Sequence, residues 1–336
     1  MKSLSRRVLA VAVLACGLAV PARAAEVNPL IPAEAENIIF VNFRQIIDSQ
    51  LVKKFALEQM KQALQGADAQ KVMTDLGLDP LKDIDQLTGG FWGEDAQSMK
   101  MLIILSGKFD PVKLFNAADV QSKKDADKIS IVSEGKYKFV KITNDKANGP
   151  GAAFKEVYIS VANDKTILAS TDKDVLAATM VRVEKNVSKP IVKKALGALM
   201  VKMDSKASFY MCGLSDPKKI SDIPPNPLFD DPAKLKKQLE KIENMSMTLR
   251  IGDDVGLEAT VGMKDSDAAD EFGSTIDDML GKVRAFLPLI AGQQPNLKPL
   301  IGDLGKNLKC KSKDKEVQVT LVLSGKAIAA AAGAGD

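Results

Sequence analysis

Between Met245 and Met263 apolar and polar side chains change places at nearly every step, and this constrains the fold more than any other feature of the chain. Met245, Met247, Leu249 and Ile251 share one side of a strand, while Ser246, Thr248 and Arg250 share the other. After Gly252-Asp253-Asp254, Val255, Leu257, Ala259, Val261 and Met263 alternate with Gly256, Glu258, Thr260 and Gly262. Strand side chains point to opposite faces with period two, so this pattern predicts sheets with one buried and one wet face. Buried parallel sheets read instead as continuous apolar runs, so the pattern favours antiparallel sheets over a doubly wound core. Residues 157–161 and 166–170 flank Asn163-Asp164-Lys165 and predict a further hairpin.

The order of such signals occurs twice. Ile84-Asp85-Gln86-Leu87 leads into a strand, a turn at Gly93-Glu94-Asp95, a second strand at 99–105, and a helix opened by Asp110-Pro111. Ile242-Glu243-Asn244-Met245 leads in the same way through two strands to a helix capped by Asp265 or Ser266. Each helix is followed by a predicted strand hairpin, 128–132 with 137–142 and 308–311 with 317–323. The expected fold class is α+β, with two related halves, each a mainly antiparallel sheet with helices on one face. Residues 25–185 form the first half and 186–336 the second, which contains a proline-rich loop at 214–233. A stripe of Ala268, Phe272, Ile276, Met279, Val283 and Phe286 defines an amphipathic helix that ends at Pro288. It is read as the side packed on the sheet, with a membrane surface or partner helix as the other use of such a stripe.

Residues 1–24 read as an export signal. Lys2, Arg6 and Arg7 precede an apolar run at 8–20, and Pro21-Ala22-Arg23-Ala24 gives a small-x-small site cleaved after Ala24. The run is too short for a spanning helix, and the mature chain offers no transmembrane span. Ser5-Arg6-Arg7 leaves twin-arginine export open beside the ordinary route, and Cys16 sits in a weak lipoprotein-like site. The localisation read from this segment is periplasmic or extracellular. Of 47 basic and 43 acidic residues, the four charged residues of the leader are all basic, so the remainder balances at 43 each. That balance removes the global case for nucleic-acid binding, which draws on a net basic footprint. Past the leader two cysteines remain, Cys212 and Cys310, and an even count in an oxidising compartment makes them a candidate disulfide. The alternative is a pair of small buried hydrophobes that never meet.

Histidine is absent, which removes the usual general base, the Ser-His-Asp and Cys-His arrangements and the commonest zinc ligand. No metal site, cofactor or catalytic residue is assigned. Ser-x-x-Lys spacing recurs at Ser133/Lys136, Ser170/Lys173, Ser215/Lys218 and Ser312/Lys315, as chance supplies in a lysine-rich chain. A secreted, histidine-independent hydrolase using carboxylates or such a Ser-Lys pair is therefore the rival to a binding or structural role. Trp92, in Gly89-Gly90-Phe91-Trp92-Gly93, and Phe229, beside the proline-rich loop, are the candidate ligand or partner contacts. Each also has an ordinary reading, a core-rim strand for Trp92 and a rigid connector for Phe229. The 13 methionines suit an adaptable apolar pocket, so the partner is an envelope protein or a hydrophobic small molecule, a lipid first. Those methionines serve equally as core filling.

Several phrases add a resemblance. Residues 30–43 (LIPAEAENIIFVNF) run into Ile46-Ile47-Asp48-Ser49-Gln50-Leu51-Val52-Lys53-Lys54. Leu76-Gly77-Leu78-Asp79-Pro80-Leu81-Lys82-Asp83-Ile84-Asp85, Gly107-Lys108-Phe109-Asp110-Pro111 and Ala291-Gly292-Gln293-Gln294-Pro295 follow. Together they resemble a group of secreted hypothetical proteins of planctomycete-type bacteria, over most of the chain past the leader. The resemblance implies a signal-bearing envelope or extracellular protein and brings no active-site residues with it.

Overall fold

The computed structural model describes residues 25–94, 98–144, 154–220 and 231–333, so the leader and its cleavage point lie outside the described residues. Strand β1 (Asn37–Asn42) is followed by five short helices: α1 (Phe43–Asp48), α2 (Gln50–Phe55), α3 (Leu57–Leu64), α4 (Ala67–Leu76) and α5 (Pro80–Asp83). Next come β2 (Ile84–Trp92), β3 (Lys100–Gly107), α6 (Pro111–Lys124), β4 (Ile129–Glu134), β5 (Tyr137–Thr143), β6 (Glu156–Asn163) and β7 (Thr166–Ser170). Helices α7 (Lys173–Glu184) and α8 (Lys194–Val201) lead to β8 (Phe209–Leu214), α9 (Pro232–Leu239), β9 (Ile242–Ile251) and β10 (Val255–Met263). The last elements are α10 (Ser266–Gln293), α11 (Lys298–Asn307), β11 (Lys309–Lys313), β12 (Glu316–Leu323) and α12 (Gly325–Ala331).

Local chemistry sets several of these boundaries. Asp110 accepts from the backbone N–H groups of Val112 and Lys113, with Pro111 at the first helical position, which starts α6. Asp265 rather than Ser266 caps α10, accepting from the N–H of Ala268. The hairpin at Asn163-Asp164-Lys165 forms as expected, and Thr166–Ser170 is a strand over its whole predicted length. One expectation fails. Helix α10 does not stop at Pro288 but carries it inside and runs on to Gln293. A proline costs the helix one backbone hydrogen bond, and buried Leu287 beside it gives that turn packing that offsets the loss.

The fold is α+β, built on one antiparallel sheet of twelve strands in the order β11-β12-β10-β9-β8-β1-β2-β3-β7-β6-β5-β4. The strands expected in separate sheets are continuous, because β1 pairs with β2 on one edge and with β8 on the other. Phe40 and Tyr210 stack across that β1–β8 seam with ring centroids 4.7 Å apart.

Helices lie on both sides of this sheet. On one face Ile38, Phe40, Leu102, Ile104, Leu168, Tyr210 and Cys212 pack under Leu176 and Met180 of α7 and Leu196, Leu199 and Met200 of α8. This cluster is the main core, and it draws on residues from both sides of position 185. On the other face α10 lays Ala268, Ala269 and Phe272 into a smaller cluster with Val317. Helix α6 lies on that same face at the far end, where Lys138 of β5 reaches the ring of Phe115.

Candidate functional site

Two apolar rows cross the face shared by α6 and α10. One cross-strand row runs through Ala259, Met247, Met211, Ile39, Gly89, Ile103, Ala169, Ile159, Val140 and Ile131. A second runs through Leu257, Leu249, Phe209, Val41, Leu87, Leu105, Ile167 and Val161. No charged or hydrogen-bonding side chain interrupts either row. Period-two alternation predicts burial of this face, yet apart from Gly89 every residue of both rows is only half-buried. Met245, beside them on β9, is 41% exposed. On the opposite face of the same strands Ile38, Leu102 and Leu168 are fully covered.

Covering elements sit at the two ends, and α1 packs against β2 between them. Helix α6 packs against β4 and β6, and α10 and α11 pack against β10, β11 and β12. Between α6 and α10 lie β9, β8, β1, β2, β3 and β7, about 24 Å across at roughly 4.8 Å per strand. The flanking helices themselves carry exposed apolar side chains, Val112 and Val120 on α6 and Phe286, Leu289 and Ile290 on α10. Soluble proteins seldom leave contiguous apolar surface open without a use for it.

Trp92 ends β2 on the helix-covered side and packs, half-buried, at the rim of the main core. Close by, Glu36 receives Lys219 at 2.6 Å and Lys193 at 3.4 Å. Burial alone would raise the Glu36 carboxyl, but the two lysines hold it below its ordinary value. Lys219 also donates to the carbonyl of Gly93, tying the segment after β8 to the turn beyond Trp92. Phe229, together with Pro224, Pro225 and Pro227, lies outside the described residues.

The candidate disulfide is not formed. Cys212 and Cys310 are both free thiols. Cys212 sits on β8 in the main core, while Cys310 sits on β11 opposite Val319, on the α10 face. The two strands are four places apart in the sheet, roughly 19 Å, and the side chains point to opposite faces. A disulfide needs Cα atoms within about 7 Å. Burial pushes the Cys212 thiol up to about 12 and raises Cys310 and Tyr210 in the same direction.

No Ser-x-x-Lys pair forms a serine–lysine hydrogen bond among the described residues. Ser170 Oγ donates to the carbonyl of Met101, while Lys173 pairs with Glu134. Lys136 pairs with Glu184, and Lys315 donates to the carbonyl of Lys264. Among the described residues no group of three or more His, Cys, Asp or Glu is placed to hold a metal ion. No helix among them is long and apolar enough to cross a membrane.

No protein-family model and no curated protein matches the chain. Among solved structures, crystal forms I, III and IV of TP0453 resemble it, with TM-scores of 0.46, 0.46 and 0.44 and identities of 9%, 8% and 9%. These alignments cover 91–92% of this chain and 96–99% of the other. A likeness of this size identifies neither a family nor a function.

Proposed function

We propose that this is an exported, non-catalytic protein of the bacterial envelope that holds an apolar ligand, the acyl chain of a lipid, against the open face of its sheet. One observation carries the reading: two unbroken apolar rows are left half-buried between α6 and α10. The six strands between those helices span about 24 Å, more than the ~15 Å of hydrocarbon that one leaflet of a bilayer contributes. Met211 and Met247 adjoin there, and flexible, polarizable methionine adapts to irregular apolar shapes. Export rests on the leader at 1–24, on the balanced charge of the remaining chain and on the resemblance to secreted proteins of planctomycete-type bacteria.

Native mass spectrometry of protein purified from its own envelope tests the reading. A reproducible lipid adduct, lost when Met211→Glu places a carboxylate on the face, is the expected result. Protein that is consistently empty and co-purifies with another envelope protein would replace it with a structural or interaction role.

A further inference from the structure

The helix-covered face changes character beyond β8. From Cys212 the cross-strand row continues through Ser246, Thr260 and Gln318, and from Tyr210 through Thr248, Glu258 and Thr320. A cleft of about 160 Å³ opens here, between these polar strands and the segment that ends α8. Two ion pairs tie its wall to its floor. Arg250 binds Asp204 at 2.9 Å, and Lys202 binds Glu316 at 2.8 Å. Gln318 donates to Glu258 at 2.9 Å, and Arg250 also lies 3.9 Å from Glu258. Every charged group of the cleft is thus engaged with another group of the cleft.

The remaining hydroxyl and amide groups of the floor are not so engaged. Asn244, Ser246 and Thr260 line the cleft, and no side-chain hydrogen bond joins any of them to the described residues. Thr248 is buried at 7% exposure, and the partner of its hydroxyl is the thioether of Met203 at 3.8 Å. Sulfur is a weak acceptor, and buried hydroxyls are ordinarily matched by protein, water or ligand. We infer that this cleft binds a small neutral polyhydroxy compound, a polyol or a single sugar residue, through Asn244, Ser246, Thr248 and Thr260.

The charge pattern sets the ligand class. Asp204, Glu258 and Glu316 outnumber Lys202 and Arg250 by one, so an anionic ligand meets excess negative charge, and a cation finds each carboxylate already paired. The volume equals that of about five waters in the liquid, which limits the occupant to a single small ring or shorter. No aromatic side chain lines the cleft, so the contacts are hydrogen bonds without ring stacking. This site lies on the opposite face of the sheet from the apolar rows and stands or falls independently of the lipid reading.

Saturation-transfer NMR on the full exported chain, with methyl β-glucoside, myo-inositol and glycerol as probes, tests the inference. At least one probe should bind saturably in the millimolar range, and glucose 6-phosphate should bind more weakly than methyl β-glucoside. Thr260→Val and Ser246→Ala, which leave both ion pairs in place, should each weaken binding by about tenfold. Met211→Glu, on the other face, should leave it unchanged. The absence of saturable binding by all three neutral probes would overturn the inference, as would binding that survives both hydroxyl deletions in a folded protein.

Discussion

Ile38 and Ile39 are neighbours on β1 with opposite environments, and together they measure whether the apolar face is open. Ile38 is completely buried in the main core, whereas Ile39 stands half-buried in the middle of the apolar row. Replacement by alanine removes three carbons from either side chain, about 2.4 kcal/mol of transfer free energy at ~0.8 kcal/mol each. At Ile38 the full amount is lost and a cavity remains under α7 and α8, which brings the cost to about 3–4 kcal/mol. At Ile39 only part of that surface leaves water on folding and no enclosed void forms, so the cost is about 1–1.5 kcal/mol. Urea unfolding followed by the fluorescence of Trp92, the only tryptophan and a member of the main core's rim, reads both variants in one assay. The midpoint should fall at least twice as far for Ile38→Ala as for Ile39→Ala. Equal losses would show that Ile39 is packed as tightly as Ile38, and the argument for an open ligand face would collapse.

Four further outcomes follow from particular residues. The Cys212 thiol is raised by burial from an ordinary 9 to about 12, so the unfolded chain loses that proton first. Stability from this group is therefore full below about pH 9 and declines as pH rises towards 12, by up to ~4 kcal/mol, and Cys212→Ala should flatten the alkaline limb of a urea–pH series. Alkylation of the denatured, unreduced protein should modify both Cys212 and Cys310, and an unmodified pair released only by reductant would contradict their placement on opposite faces. The Oε1 atom of buried Gln238 has no hydrogen-bond partner among the described residues, and such an orphan costs about 1–3 kcal/mol, so Gln238→Met should leave the thermal midpoint unchanged or higher. A Cβ at Gly107 would collide with the backbone carbonyl of Asp83, so Gly107→Ala should lower the midpoint in the same assay by more than a surface substitution does, about 0.5 kcal/mol or less.

Much of the local structure was legible in the sequence because short-range chemistry decides it. Alternation identified β9 and β10 and assigned Met247 and Thr248 to opposite faces, and Asp110-Pro111 located the start of α6 within a residue. What alternation does not carry is the identity of the element above each face. It marks Met211 and Met247 as apolar-side residues, but their half-buried state depends on how far α6 and α10 reach. The same limit explains the cysteines: each sits on a strand, but only the strand order places four spacings and a sheet between them. The polar cleft was hidden for a related reason, since Ser246 and Thr260 read as an ordinary wet face until the end of α8 is seen to wall it.

The β1–β8 seam imposes a schedule on the nascent chain. Phe40 meets Tyr210 about 170 residues later, so β1 can pair with β2 early but keeps its other edge bare until β8 exists. At ordinary synthesis rates of about 5–20 residues per second, that interval is roughly 10–30 s. During it the open edge of a strand carrying Ile38, Ile39, Phe40 and Val41 is available to any other extended chain. A seam between distant strands also raises contact order and slows folding. The centre of the finished sheet is therefore the part completed late, and the interval before its closure is when this chain most needs to be kept from its neighbours.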